Sequence, residues 1–336
     1  MKRIIVVIIL CFTGTLHLKA QDSTAIVSYV DKIIIKANLN TQRDVFTSNY
    51  DNNETDFKIT TNDNLRLFLS LDYDFIGFSI GFDPNFLNEN NDNDLKGKSS
   101  FSDFRFRMFL GKWVQSMHYG ETKGFYIENT EDFIPDWNEG TDPYIQFPNL
   151  KKTSYGMTTA YVFNSNFSYR NLVYQTEWQK KSAGSFVPKL YYNYNELSFK
   201  TENVSSIEKF YNLKLELAYY YTFVIHENWF IAPYIAPAAG VRFSKTKTER
   251  DNETFSTDET HYPLSLSKGL QLGYSSRRII FGLNINNQFN WFREDSVTAI
   301  TEDRIYGLVY FGYRFDAPKF LDNTFNWMYS KLGMTR

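Results

Sequence analysis

The strongest constraint on the fold is the two-residue period of the last hairpin, Arg278 to Phe315. In its first arm Ile279, Phe281, Leu283, Ile285, Phe289 and Trp291 share one parity, and Gly282, Asn284, Asn286, Gln288 and Asn290 share the other. Successive side chains of a strand point to opposite faces, so this arm has one apolar face and one amide-rich face. In the second arm Ile305, Val309, Phe311, Tyr313 and Phe315 oppose Arg304, Tyr306, Tyr310, Gly312 and Arg314. A soluble sandwich turns such an apolar parity toward a second sheet. A membrane barrel turns it to lipid and the polar parity to a lumen. Periodicity alone leaves both open.

The amino terminus separates them. Residues 1–20 have the three parts of a secretory signal: Lys2 and Arg3, the apolar run Ile4 to Phe12, and a small residue, Ala20, before Gln21. The apolar run is too short to span a bilayer, and no later run of roughly 18 apolar residues exists. The single cysteine, Cys11, lies inside this segment behind Leu10, which disfavours lipidation. A mature chain without cysteine has no disulfide framework and no thiolate chemistry. Without Lys2, Arg3 and Lys19, 33 basic residues face 38 acidic ones, a net charge of about −5 against −2 for the whole chain. No basic stripe points to nucleic acid. Aromatics make up 18% of a chain whose mean hydropathy is −0.42. A barrel combines these naturally, with aromatic girdles outside and a polar lumen and loops.

The same alternation recurs along the chain. Residues 21–30 read as a short leader, and Ile33 to Asn40 as the first strand, followed by a polar loop around Asn49–Asn53. Leu65, Leu67, Leu69, Leu71, Tyr73 and Phe75 oppose Arg66, Ser70, Asp72 and Asp74. Turning Arg66, Asp72 and Asp74 into a dry core would cost several kcal/mol each, whereas a wet lumen accepts them. The phase flips at Phe75-Ile76, as a tight hairpin requires. Asn85 to Lys98 is a polar loop; Phe101–Leu110 and Trp113–Tyr119 are strands around Gly111-Lys112. Glu128 to Leu150 reads as the longest loop. A strand marked by Tyr155, Met157, Tyr161 and Phe163 follows. Later strands are Leu172–Trp178, Val187–Phe199, Tyr211–Phe223, Trp229–Phe243 and Tyr262–Tyr274. Lys245–Glu259 and Glu294–Glu302 read as long charged loops, opposite short turns at His226–Asn228 and Ser275–Arg277. Short turns at one end and long loops at the other belong to barrels.

This count gives thirteen strands, yet a bacterial barrel needs an even number. Loops alternate correctly from the front as far as Leu150 and from the back as far as Thr201–Glu208, so the error falls within Ser165–Gly184. The expected fold is all-β, a transmembrane antiparallel up-and-down β-barrel of about 12 strands, with 14 as the alternative. Its expected parts are a signal peptide over 1–20, the barrel over 21–315 and a periplasmic tail over 316–336. In that tail Leu321, Phe325, Met328 and Leu332 have helical spacing and Asp322 or Asn323 suits a cap, predicting a short amphipathic helix. Such a helix would rest on the rim or serve as a plug or docking element.

The stretch Phe167-Ser168-Tyr169-Arg170-Asn171-Leu172-Val173-Tyr174-Gln175-Thr176-Glu177-Trp178, continuing to Phe186, resembles the central motif of domain-of-unknown-function family 4421. This is an uncharacterised family of exported proteins from Bacteroidota. Lys152 to Gly156 and Gly111-Lys112-Trp113 are similar to it as well. The resemblance covers essentially the whole mature chain. It implies an outer-membrane barrel, and it brings no activity and no functional residues.

The residues themselves suggest a lumen cluster. Arg170, Glu177, Lys180 and Lys181 would be costly against lipid, and Asp72, Asp74 and Glu216 lie on polar parities and can answer them. This set is expected to form ion pairs that narrow the lumen, or a constriction that selects solutes. Ser116 and His118 share one strand face, as in barrel-wall lipases, but no third member or nucleophile motif accompanies them. Asp92, Asp94, Gly97 and Asp103 loosely echo a calcium loop, with Lys96 where an oxygen ligand is wanted. His226 and His261 read as solvated turn residues. No cofactor, metal or catalytic residue is expected. The expected function is a structural or solute-passage barrel of the outer membrane. The alternatives are a barrel-wall enzyme acting on lipid and a secreted β-sandwich binding protein. Expected partners are outer-membrane lipid and a small solute, without nucleic acid; no protein partner is indicated.

Overall fold

The computed structural model describes residues 25–48, 56–251, 253–291 and 304–332. The signal peptide over 1–20, the loop around Asn49–Asn53, Asn252 and the loop Glu294–Glu302 lie outside the described residues. Twelve barrel strands follow the chain: β1 (Lys32–Asn40), β2 (Arg66–Tyr73), β3 (Ile76–Phe82), β4 (Ser100–Leu110), β5 (Trp113–Ile127) and β6 (Gln146–Tyr161), then β7 (Ala183–Lys200), β8 (Val204–Ile225), β9 (Trp229–Arg250), β10 (Leu264–Ser275), β11 (Ile279–Trp291) and β12 (Arg304–Asp316). Each pairs antiparallel with the next. Between β12 and β1, Phe311 lies opposite Ala37, and this pairing closes the sheet. Closure satisfies every barrel strand on both sides, the condition for crossing lipid. It also overturns the sandwich alternative, which needs two sheets.

Parity decides the faces. Leu69 (41% exposed), Leu71 and Leu217 point outward, while Asp72 (0%) and Arg107 (6%) point into the lumen. The outward surface carries two aromatic girdles. One runs Tyr119, Tyr155, Tyr194 and Tyr211, with neighbouring ring centroids 5.0, 6.2 and 5.1 Å apart. The other, near the short turns, includes Trp113, Tyr161, Phe163 and Phe186 on one side and Trp229, Tyr274 and Phe281 on another. On β8 the outward row from Tyr211 to Phe223, at ~3.4 Å per residue and a tilt of about 40°, spans about 30 Å. That matches a bilayer's hydrocarbon core.

The strand expected at Leu172–Trp178 is absent, and the count becomes even. Residues 162–182 replace what would be a tight turn between β6 and β7. They fold back as a short helix, Tyr169–Val173, and a strand, Glu177–Gln179. Ser168 caps the helix by accepting a bond from the Asn171 N–H at 2.8 Å. Phe167, Tyr169, Leu172 and Tyr174 join a buried core with wall residues Phe109, Val187, Ala218 and Tyr220. The Leu172, Tyr174, Thr176, Trp178 alternation mimics a strand, but these side chains pack inside the barrel or at its rim. The expected leader is likewise structured: Ile26–Ser28 pairs antiparallel with Glu177–Gln179.

Three further expectations change. The loop at Lys245–Glu259 is mostly sheet, because β9 runs to Arg250 and pairs with a strand at Glu253–His261. Tyr262-Pro263 separates that strand from β10, and proline has no N–H for the ladder. The longest loop ends earlier than Leu150, since β6 begins at Gln146. The terminal helix spans Lys319–Leu332, starting after Pro318 and ahead of the expected caps. Phe325 packs edge-on against Tyr73 at 4.8 Å and Phe75 at 5.4 Å, and Tyr329 packs on Phe75. The helix thus clamps the β2–β3 turn at the short-turn rim.

Candidate functional site: the lumen

Side chains reach into the lumen at three levels. At the short-turn end the segment 162–182 is held mainly through its backbone. The Lys36 ammonium, 3% exposed, donates to the Tyr174 carbonyl at 3.0 Å and to Gln175 Oε1 at 2.6 Å. Arg314, 1% exposed, donates to the Gln175 carbonyl at 2.7 Å and to Ser275 Oγ at 3.2 Å, and also reaches the Ser276 carbonyl. Arg170 reaches the other way, donating to the Asp74 carbonyl at 2.9 Å. Gln175 has φ +56°, a left-handed turn that presents its carbonyl and side chain to these cations.

At the middle level is a cavity of about 290 Å³ between the segment 162–182 and the polar wall. Lys36, Arg105 and Arg107 line it with Asn38, Asn284 and Asn286. Arg107 donates to Asp72 at 2.9 Å, and Arg105 to Asp103 at 2.6 Å. Along the wall Lys189 donates to Glu216 at 2.9 Å and to the Tyr220 hydroxyl at 2.6 Å. The outer layer is centred on Asp44, carried inward by the loop between β1 and β2. Its carboxylate accepts from Arg66 and Thr122 at 3.0 Å each and from Lys152. Asp63 also accepts from Arg66. Burial pushes the Asp63 carboxyl up, against the pull of the Arg66 guanidinium.

Of the seven residues singled out in the sequence, Arg170 and Glu177 meet, at 3.4 Å. Glu177 also accepts from Ser168. Asp74 joins them through its carbonyl, and its carboxylate accepts from the Tyr329 hydroxyl on the terminal helix. Asp72 pairs with Arg107, and Glu216 with Lys189, apart from Arg170. Lys180 lies at the rim, 3.4 Å from Glu227 and over the Trp178 ring, and Lys181 is exposed. Sequence reasoning placed Arg314 on the polar parity but outside the cluster, and it missed Lys36, Lys189 and Asp44 as lumen residues. A lysine inside the apolar run Ile33-Ile34-Ile35-Lys36-Ala37 was a usable signal; Asp44, in a loop, offered none.

Ser116 and His118 lie on the inward row, opposite Arg107 and Arg105. A pair acting on acyl chains in the bilayer would need the outward row. Asp92 pairs with Lys96 and Asp103 with Arg105, so the four residues of the calcium-loop echo do not converge. Among the described residues no group of three or more His, Cys, Asp or Glu side chains is placed to hold a metal.

A closed barrel with an apolar, aromatic-banded exterior and a charged lumen defines the transmembrane β-barrel class. Within it, the family described as a domain of unknown function (DUF4421) matches residues 20–315, and the chain belongs to that family. No curated protein matches the chain. Among solved structures it is similar to the beta domain of the Bordetella autotransporter BrkA, at 10% identity, over 85% of this chain and 100% of that one, with a TM-score of 0.45. It is also similar to the translocator domain of the autotransporter NalP from Neisseria meningitidis, at 8% identity over 94% and 96%, TM-score 0.39. LpxR from Salmonella typhimurium matches at 11% identity over 84% and 100%, TM-score 0.33.

Proposed function

We propose that this chain is an outer-membrane barrel of the solute-passage type whose lumen rests closed at its periplasmic end. The observation that carries the reading is the 162–182 excursion. It stands where a tight turn would suffice, and buried wall cations hold its backbone. A twelve-strand barrel is wider than the eight-strand case that side chains alone can fill, so an inserted segment is the means of closing it. The short-turn end is periplasmic in this reading, because turns are short on that side of outer-membrane barrels. The pair Arg170–Glu177 then belongs to the closure and narrows the lumen there. A liposome-swelling assay tests this. Liposomes bearing the wild-type barrel should exclude small sugars. Those bearing a barrel with 163–181 replaced by a two-residue turn should admit them. Equal swelling by the two, with both folded by heat-modifiability, would overturn the reading.

A further inference from the structure

We infer that the mid-lumen cavity is a binding site for a small carboxylate or phosphate anion. The inference takes its floor from the closed-lumen reading and adds a ligand class to it. A volume of about 290 Å³ is far more than the roughly 10–15 Å³ that one water needs, and enough for a small solute. Three cations line it, and the two carboxylates facing them, Asp72 and Asp103, are each engaged with one of those cations. Lys36 is held by neutral acceptors, the Tyr174 carbonyl and the Gln175 amide oxygen. The lining therefore carries an excess of one positive charge.

The group that suits an anionic oxygen is Lys36, whose ammonium has only neutral partners. Arg107 is tied through Nη2 to Asp72 and to the Phe78 carbonyl. Asn284 also lines the cavity, and its amide can turn either end toward a ligand. The lumen already holds a carboxylate in this manner: Asp44, from the chain itself, lies between Arg66, Lys152 and Thr122 nearer the long-loop end.

Calorimetric titration of the detergent-solubilised full chain tests the site, with succinate, inorganic phosphate and glucose as probes. Saturable binding of succinate or phosphate is expected, without binding of glucose. Asn284→Asp sets a negative charge in the wall without changing its shape, and should weaken anion binding at least tenfold. Asn38→Asp, on a different strand of the same wall, does the same should the first variant lose its heat-modifiable fold. The inference is overturned if neither anion binds saturably, if glucose binds as well as they do, or if a folded variant binds like the wild type. Binding is read apart from swelling, so a barrel that fails the closure test and a cavity that fails this one give different results.

Discussion

Asp72 and Arg107 show how the lumen is built one residue at a time. They lie two strands apart, with Gly77 between them in register. A Cβ on Gly77 would collide with the Asp72 carboxylate and come within 3.0 Å of the Arg107 guanidinium, so the pair lies flat across a strand only because that residue is glycine. Removing one member of a buried pair leaves a charge uncompensated, at about 3–5 kcal/mol. Arg107→Leu should therefore lower the urea-unfolding free energy by about that amount, and the double change Asp72→Leu, Arg107→Leu should restore much of it. A double variant as unstable as the single would show that shape, and not charge, fixes the site. On the outward row, Leu215 (47% exposed) is flanked by the inward Lys214. Leu215→Arg should cost about 2–4 kcal/mol near the midplane, and Lys214→Arg close to nothing; equal losses would reverse the two faces. The polar parity of Asp72 and Glu216 was legible in the sequence. Their partners were not, because Arg107 and Lys189 meet them only through a register set by neighbouring strands.

Segments with a lipid face were legible as elements, and those without one were not. Strands β2, β11 and β12 announce themselves because one side of each meets hydrocarbon. The paired strands beyond the outer girdle, up to Arg250 and from Glu253, have water on both sides, so their sequence carries no alternation and reads as loop. Residues 167–176 are mostly buried in protein, and their short alternation misled. The odd strand count nevertheless exposed a fault, since bacterial single-chain barrels have even counts, and the alternation of loop lengths located it within Ser165–Gly184. The grip on this segment is itself testable. Arg314 makes charge-assisted bonds to the Gln175 carbonyl and to Ser275 Oγ, each worth roughly 1.5–3 kcal/mol. Arg314→Gln should speed amide exchange in 169–179 at least tenfold while β8 and β9 stay protected. Uniform loss of protection throughout the barrel would instead make Arg314 a general stabiliser of the wall.

For the whole molecule, the sequence alone led to a closed antiparallel barrel of about twelve strands, because signal, alternation and loop asymmetry agreed. A narrowed lumen was read from the charges, but the fold of 162–182 was not, since the contacts of Lys36 and Arg314 with that segment join residues more than a hundred positions apart. Orientation follows from the turns: an epitope inserted at Glu202, in the tip between β7 and β8, should be labelled on intact cells. Labelling only after permeabilisation would invert the topology. The central claim, that the chain closes its own lumen, is tested most directly by single-channel conductance in a planar bilayer. The wild-type barrel should show no steady open state, and the barrel with 163–181 replaced by a two-residue turn should show a steady, lasting conductance. A wild-type barrel that conducts steadily at the level of the shortened one would contradict the account.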